Sequence, residues 1–134
     1  NQVSIDFYQQ AHQTSARYSQ DQSEFDTCNL APEYIDTIKA PFVKQSKLKY
    51  ALQLKQIVPI PINNTQFIIG EIMHIICDKS ALKSDGYIDI ESVNTIAVSG
   101  LDSYHTTQRL SRLSYAKPNI ATTVISIDGE SLTK

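Results

Sequence analysis

The chain has 134 residues, of which 41% are hydrophobic and 19% charged, with a formal net charge of -2. That length supports one domain with a real core and is short for two. The slight acidic excess argues against a general nucleic-acid or membrane-surface binder, since both classes carry a basic excess, and no apolar run approaches the length that crosses a bilayer.

No secretion signal is visible. Cys28 and Cys77 stand alone, outside any Cys-x-x-Cys pair, so neither a zinc site nor a thioredoxin-like motif is available. Cys77 sits in an apolar run and reads as a small buried hydrophobe. A reduced, cytoplasmic setting is the plain reading. Asn63-Asn64-Thr65 matches a glycosylation sequon and is read here as turn chemistry. The chain opens at Asn1, without an initiator Met, directly on an amphipathic segment, a start that reads as the middle of a protein.

In chain order, residues 3 to 12, "VSIDFYQQAH", fit a short helix, with Val3, Phe7 and Ala11 recurring every four positions. Residues 21 to 28 suit a second short helix, with Glu24 and Asp26 in its first turns and Phe25 and Cys28 facing inward. Residues 31 to 46 read as loop, broken by Pro32 and Pro41. In "LKYALQLK", Leu48, Tyr50, Leu52 and Leu54 alternate with Lys49, Ala51, Gln53 and Lys55, which predicts a strand with one wet face. "QFIIGEIMHIIC" is apolar on both parities and reads as a strand covered on both faces, with Gly70 marking a bulge or a close backbone approach. Together they predict an antiparallel hairpin with a longer loop. Residues 87 to 94 suit a short strand or a helical turn. Residues 96 to 98 read as a short strand, and the β-branched residues 122 to 127 as one more. The strands in hand could make a sheet but not a closed barrel.

Candidate chemistry is sparse. There is no glycine-rich phosphate loop and no His-x-x-x-His or His-Glu-x-x-His pattern, and no metal site is expected. His74, in the doubly apolar strand, reads as a core or interface histidine. His12 closes the first helix, where the dipole favours a cation. It precedes Gln13-Thr14-Ser15-Ala16, which is either a helix stop or a set of donors and acceptors for a polar heterocycle. In "IAVSGLDSYHTTQRLSRLSYAKPN", Tyr104 and His105 follow a strand end and could stack on or edge against a planar ligand, with Thr106, Thr107 and Arg109 as nearby donors. The plainer reading of the same residues is a solvated loop with Tyr104 packed on a sheet edge.

The order of pieces carries more than any one of them. Residues 68 to 78, "IIGEIMHIICD", then 86 to 89, "GYID", then 98 to 104, "VSGLDSY", resemble the C-terminal half of the flavin reductase-like family, the FMN-binding split-barrel flavoproteins. Upstream, the helix ending in Thr14-Ser15-Ala16, the Ser-Glu-Phe at 23 to 25 and the long wet-faced strand are also similar to that family. The resemblance covers residues 1 to 119. It implies a mainly β fold with short helices, an FMN-binding split β-barrel of Greek-key type. Within it this chain would be the C-terminal part of a single domain, lacking the N-terminal half: short helices over 1–30, a β-rich part over 47–119 and a tail over 120–134. It further implies FMN as cofactor, NAD(P)H as electron source, a homodimer, and NAD(P)H:flavin oxidoreductase activity. Flavin neighbours would be Thr14, Ser15, Ala16, Tyr104, His105 and Arg109. No catalytic residue is assigned, since the flavin itself performs the hydride chemistry. The alternatives are a flavin-binding electron carrier without turnover, and a β-rich interaction module without cofactor.

Overall fold

The computed structural model describes residues 1–35 and 37–129. Two short helices come first, α1 (Tyr8–Gln13) and α2 (Glu24–Thr27). Strands β1 (Pro32–Glu33), β2 (Phe42–Val43), β3 (Leu48–Ile60) and β4 (Thr65–Cys77) follow, then a 3-10 turn over Lys79–Ala81. Strands β5 (Ile96–Ser99), β6 (Ser103–Thr106), β7 (Arg112–Leu113) and β8 (Val124–Ile125) complete the order. Among the described residues the strands pair in antiparallel twos, β1 with β2, β3 with β4, β5 with β6 and β7 with β8. The chain is therefore mainly β with short helices. The segment 31–46, read from its prolines as loop, contains the small β1–β2 pair.

The helix expected over residues 3 to 12 starts later. Ser4 bridges Thr95, the Ile5 N–H donates to the Asn94 carbonyl at 3.1 Å, and the Ile96 N–H donates to the Val3 carbonyl at 3.1 Å. Residues 3 to 5 thus lie as an extended edge beside β5, and tertiary hydrogen bonds override local helical periodicity there. Phe7 and Ala11 still face inward. They join Cys28, Leu30, Val3, Tyr18, Phe25 and Val43 in one small core. Leu30 is steered into it by the end of α2. Asn29 takes a left-handed φ of 55°, the Leu30 N–H reaches the Phe25 carbonyl at 2.8 Å, and the Asn29 N–H reaches Asp26 at 3.3 Å. That pair of bonds is a Schellman closure.

The β3–β4 hairpin forms as expected, each strand 13 residues long. At its tip the Asn63 side-chain oxygen accepts from the Thr65 N–H at 3.2 Å and from the Thr65 hydroxyl at 2.7 Å, so the sequon-like triplet does act as a turn. The register shifts twice, between Ala51 and Leu52 and between Leu54 and Gln56. Gly70 pairs with Leu54 beside the second shift, and a Cβ placed on it would stand 3.1 Å from the Leu52 Cβ. The glycine marks a bulge and a close approach together.

The expected wet and dry faces do not follow the alternation. Lys49 is 6% exposed and Leu52 is 60% exposed. The root of the hairpin is enclosed on both sides. Leu48 packs with Ala81 and Val93, flanked by Tyr50, Cys77 and Ile88, while the Lys49 ammonium pairs with Glu33 of β1. Past the first shift, no described element covers either face. Leu52, Leu54, Ile57, Phe67, Ile69 and Ile72 are exposed there, and Met73, His74 and Ile75, at the shift and just before it, are exposed as well. The covered β4 and the core His74 expected from the apolar pattern are therefore not met among the described residues, because apolar pattern alone does not supply the packing partner.

The tail strand is shorter than residues 122 to 127. It is held by the Ser84 hydroxyl donating to the Asp128 carbonyl at 3.0 Å and by Arg112, which bonds Asp85 and the Ile127 carbonyl. The Arg112 guanidinium also lies 4.1 Å from the Tyr87 ring centroid. Residues 130–134 of the expected tail lie outside the described residues. No helix among the described residues is long and apolar enough to cross a membrane.

Candidate functional site

Two cavities share a wall made by Tyr8, Asp102 and Tyr104. The first, about 380 Å³, is completed by Ile5, Ile96, His105 and Thr106. The second, about 370 Å³, is completed by Gln9, His12 and Gln13.

The wall follows from two local geometries. On α1, Phe7 and Ala11 point to the core, so Tyr8 and His12, one position further round and also four apart, share the neighbouring face. The edge formed by residues 3 to 5 sets this face against the β5–β6 hairpin. That hairpin turns over residues 100 to 102, where Gly100 takes a φ of 63° that side-chain-bearing residues rarely adopt. Tyr104 and His105 were expected in a loop after Gly100. They lie instead within β6, paired with Val98 and Ala97. A strand fixes a side chain's direction more tightly than a loop does.

His12 Nδ1 and the Tyr104 hydroxyl are 2.8 Å apart, and the histidine tautomer sets which of them donates. The two rings meet edge to face, centroids 5.7 Å apart at 83°. Tyr8 tilts against Tyr104 at 5.3 Å and 53°. Both distances fall in the range where aromatic pairs attract beyond simple burial. His105 Nε2 lies 2.8 Å from the Ser99 hydroxyl, across the same hairpin.

Of the six residues singled out in the sequence, Tyr104 and His105 border the first cavity. The other four lie elsewhere. Thr14 and Ser15 turn their hydroxyls back to the Ala11 and His12 carbonyls, each at 2.7 Å, and Ala16 continues that turn. Thr14 borders a separate cavity of about 210 Å³ with Glu24, Phe25, Leu30 and Val43. Arg109 pairs with Asp89 at 2.9 Å and Glu91 at 3.2 Å, while Lys83 stands 3.7 Å from Asp89. Burial pushes the Asp89 carboxyl up, but its bond to Arg109 and the charges of Arg109 and Lys83 more than offset this and hold it below the usual carboxylate range. Tyr87 and Asp89 in turn raise the Arg109 guanidinium. This cluster reads as a partly buried ion-pair anchor of the 80s loop.

Tyr8, His12 and Asp102 were not singled out as site residues. Tyr8 and His12 had a usable signal, their i, i+4 spacing on one helix face. Asp102 had none, because turn aspartates are common. Among the described residues no group of His, Cys, Asp and Glu gathers that could hold a metal ion.

Fold and geometry define a mainly β protein with an aromatic-walled cavity between a short helix and a strand hairpin. No protein-family model matches the chain, and no curated protein matches it. Solved structures do. A protein assigned as a flavin reductase with a split barrel domain, from Shewanella frigidimarina NCIMB 400, is 49% identical with a TM-score of 0.83 over 87% of this chain. Flavoredoxin of Desulfovibrio vulgaris (Miyazaki F) is 25% identical with a TM-score of 0.67 over 90% of it. Nitrilotriacetate monooxygenase component B from Bacillus cereus, at 18% identity and a TM-score of 0.70 over 84%, shares the fold. These neighbours support the family resemblance read in the sequence: the chain is flavin reductase-like, with split-barrel relatives. It spans 59%, 61% and 57% of the lengths of these three chains.

Proposed function

We propose that the protein containing this chain is an FMN-binding oxidoreductase that moves electrons from NAD(P)H to flavin. One observation carries the reading, the 49% identity and shared fold with the Shewanella flavin reductase-like protein over 87% of the chain. The cavity geometry is compatible with it. Tyr8, Tyr104 and His12 offer flat ring surface and edges, and Gln9, Gln13, His105 and Thr106 offer hydrogen bonds. These groups suit the ring system of a flavin and the nicotinamide that meets it. No Lys or Arg is among the described lining residues, so these two cavities offer a phosphate no ion pair from such a side chain.

When bound, the flavin supplies the two-electron chemistry, and the protein supplies position and electrostatics. In this reading Tyr104 forms part of the ring wall and His105 stands beside it. Thr14, Ser15, Ala16 and Arg109 enter only as contacts for parts of the ligands beyond the ring. The apolar outer half of the β3–β4 hairpin, bare among the described residues, is the surface for a homodimer partner. A cytoplasmic setting goes with this chemistry.

The test is purification of the full-length protein, its visible spectrum with FMN, and steady-state NADH or NADPH oxidation with added flavin. Turnover supports the proposal. The likeness to flavoredoxin favours a second reading, a flavin-binding electron carrier, which would hold FMN but show no nicotinamide turnover. A colourless protein that FMN does not stabilise would overturn both and leave the interaction module.

A further inference from the structure

We propose that the paired cavities select a planar, positively charged ring over a neutral one, and that Asp102 is the selecting residue. Both cavities are lined by Tyr8, Tyr104 and Asp102, and among their described lining residues Asp102 is the sole carboxylate, with no Lys or Arg to neutralise it. The exposed Asp102 carboxylate makes no ion pair with a described residue; Asp21, Asp26, Asp78 and Asp128 make none either, but they do not line these cavities. An unpaired carboxylate beside two tyrosine rings is a cation site of two kinds at once. The charge attracts directly, and the negative ring faces add a cation–π contact. Ile5 and Ile96 add apolar area for the body of a flat ligand.

The inference deepens the proposed function and rests on that reading only for the identity of the ring. A reduced nicotinamide ring is neutral and the oxidised ring is a cation. A site of this composition therefore holds the oxidised cofactor more tightly than the reduced one and favours charge developing on the ring. Asp102 is thereby a residue that sets specificity between redox forms.

The test uses the full-length protein at pH 8 and two small probes, the 1-methylnicotinamide cation and neutral nicotinamide, titrated by NMR. The cation is expected to bind about fivefold more tightly, the scale of one exposed charge contact with a ring contact beside it. Asp102→Asn should remove that preference and leave neutral nicotinamide unchanged, while Asp26→Asn, an exposed carboxylate on α2, should keep it. Equal affinities in the wild type, a failure of both probes to bind, or an equal loss for both probes in Asp102→Asn would overturn the proposal. The probes need no flavin, so a riboflavin titration of the same samples reads the flavin proposal separately.

Discussion

His12 and Tyr104, 92 positions apart in the chain, meet with the imidazole Nδ1 2.8 Å from the phenol oxygen. The contact ties α1 to β6 at a residue that lines both cavities. In the proposed flavoprotein, Tyr104→Ala should weaken FMN binding by about 1–2 kcal/mol, the scale of a lost ring contact plus its buried area. Apo-protein melting should fall only modestly, because Tyr104 belongs to neither buried cluster and its bond to His12 is exposed. Calorimetric titration and melting of the same full-length variant check both halves. A melting loss with unchanged FMN affinity would make Tyr104 a packing residue.

Lys49 and Leu52 exchange the roles that strand alternation assigns them. Lys49→Ala strips the ammonium that Glu33 pairs with, inside the root of the hairpin. It should cost about 1–3 kcal/mol, below the usual figure for a broken buried pair because Glu33 keeps partial access to water. Lys55→Ala, whose pair with Glu71 at 2.6 Å is exposed, should cost less than about 1 kcal/mol. Chemical denaturation of the two variants compares them directly, and equal effects would contradict the burial difference.

The Asp89 cluster predicts an acid limb. Its carboxyl sits below the usual range in the folded chain, despite burial, through Arg109 and Lys83. A carboxyl depressed on folding contributes stability that is present above its unfolded pKa, about 4, and lost as pH falls through the folded value. Asp89→Asn should therefore lower stability by about 1–3 kcal/mol near neutrality and flatten the decline below about pH 4. Melting temperatures measured from pH 6 down to pH 2.5 for both proteins test the sign. A variant whose acid limb matches the wild type would remove Asp89 from this role.

The outer half of the hairpin offers a sharper test of the proposed homodimer. Ile72 and Phe67 are exposed within this chain. If a partner covers them, Ile72→Asp should shift the full-length protein toward monomer in size-exclusion chromatography coupled to light scattering, since a buried unpaired charge is costly at an interface. An unchanged mass would place the interface elsewhere.

Local chemistry determined much about this chain. Period-two alternation located the long hairpin, the Asn63-Thr65 contact its tip, Gly70 its bulge, and the order of short motifs the family resemblance. Each depends on neighbours within a few residues or on a pattern that repeats along one strand. The tertiary structure decided the rest. Residues 3 to 5 became a β edge because Asn94, Thr95 and Ile96 offered partners that no local rule could foresee. Lys49 is buried because Glu33 reaches it from β1, while Leu52 lies bare because no described element packs there. Tyr104 gained its place in the wall from His12 and Tyr8, and Arg109 was drawn to Asp89 and Glu91. A side chain's chemistry is written in the sequence, but the partner that satisfies it is chosen by the path of the whole chain.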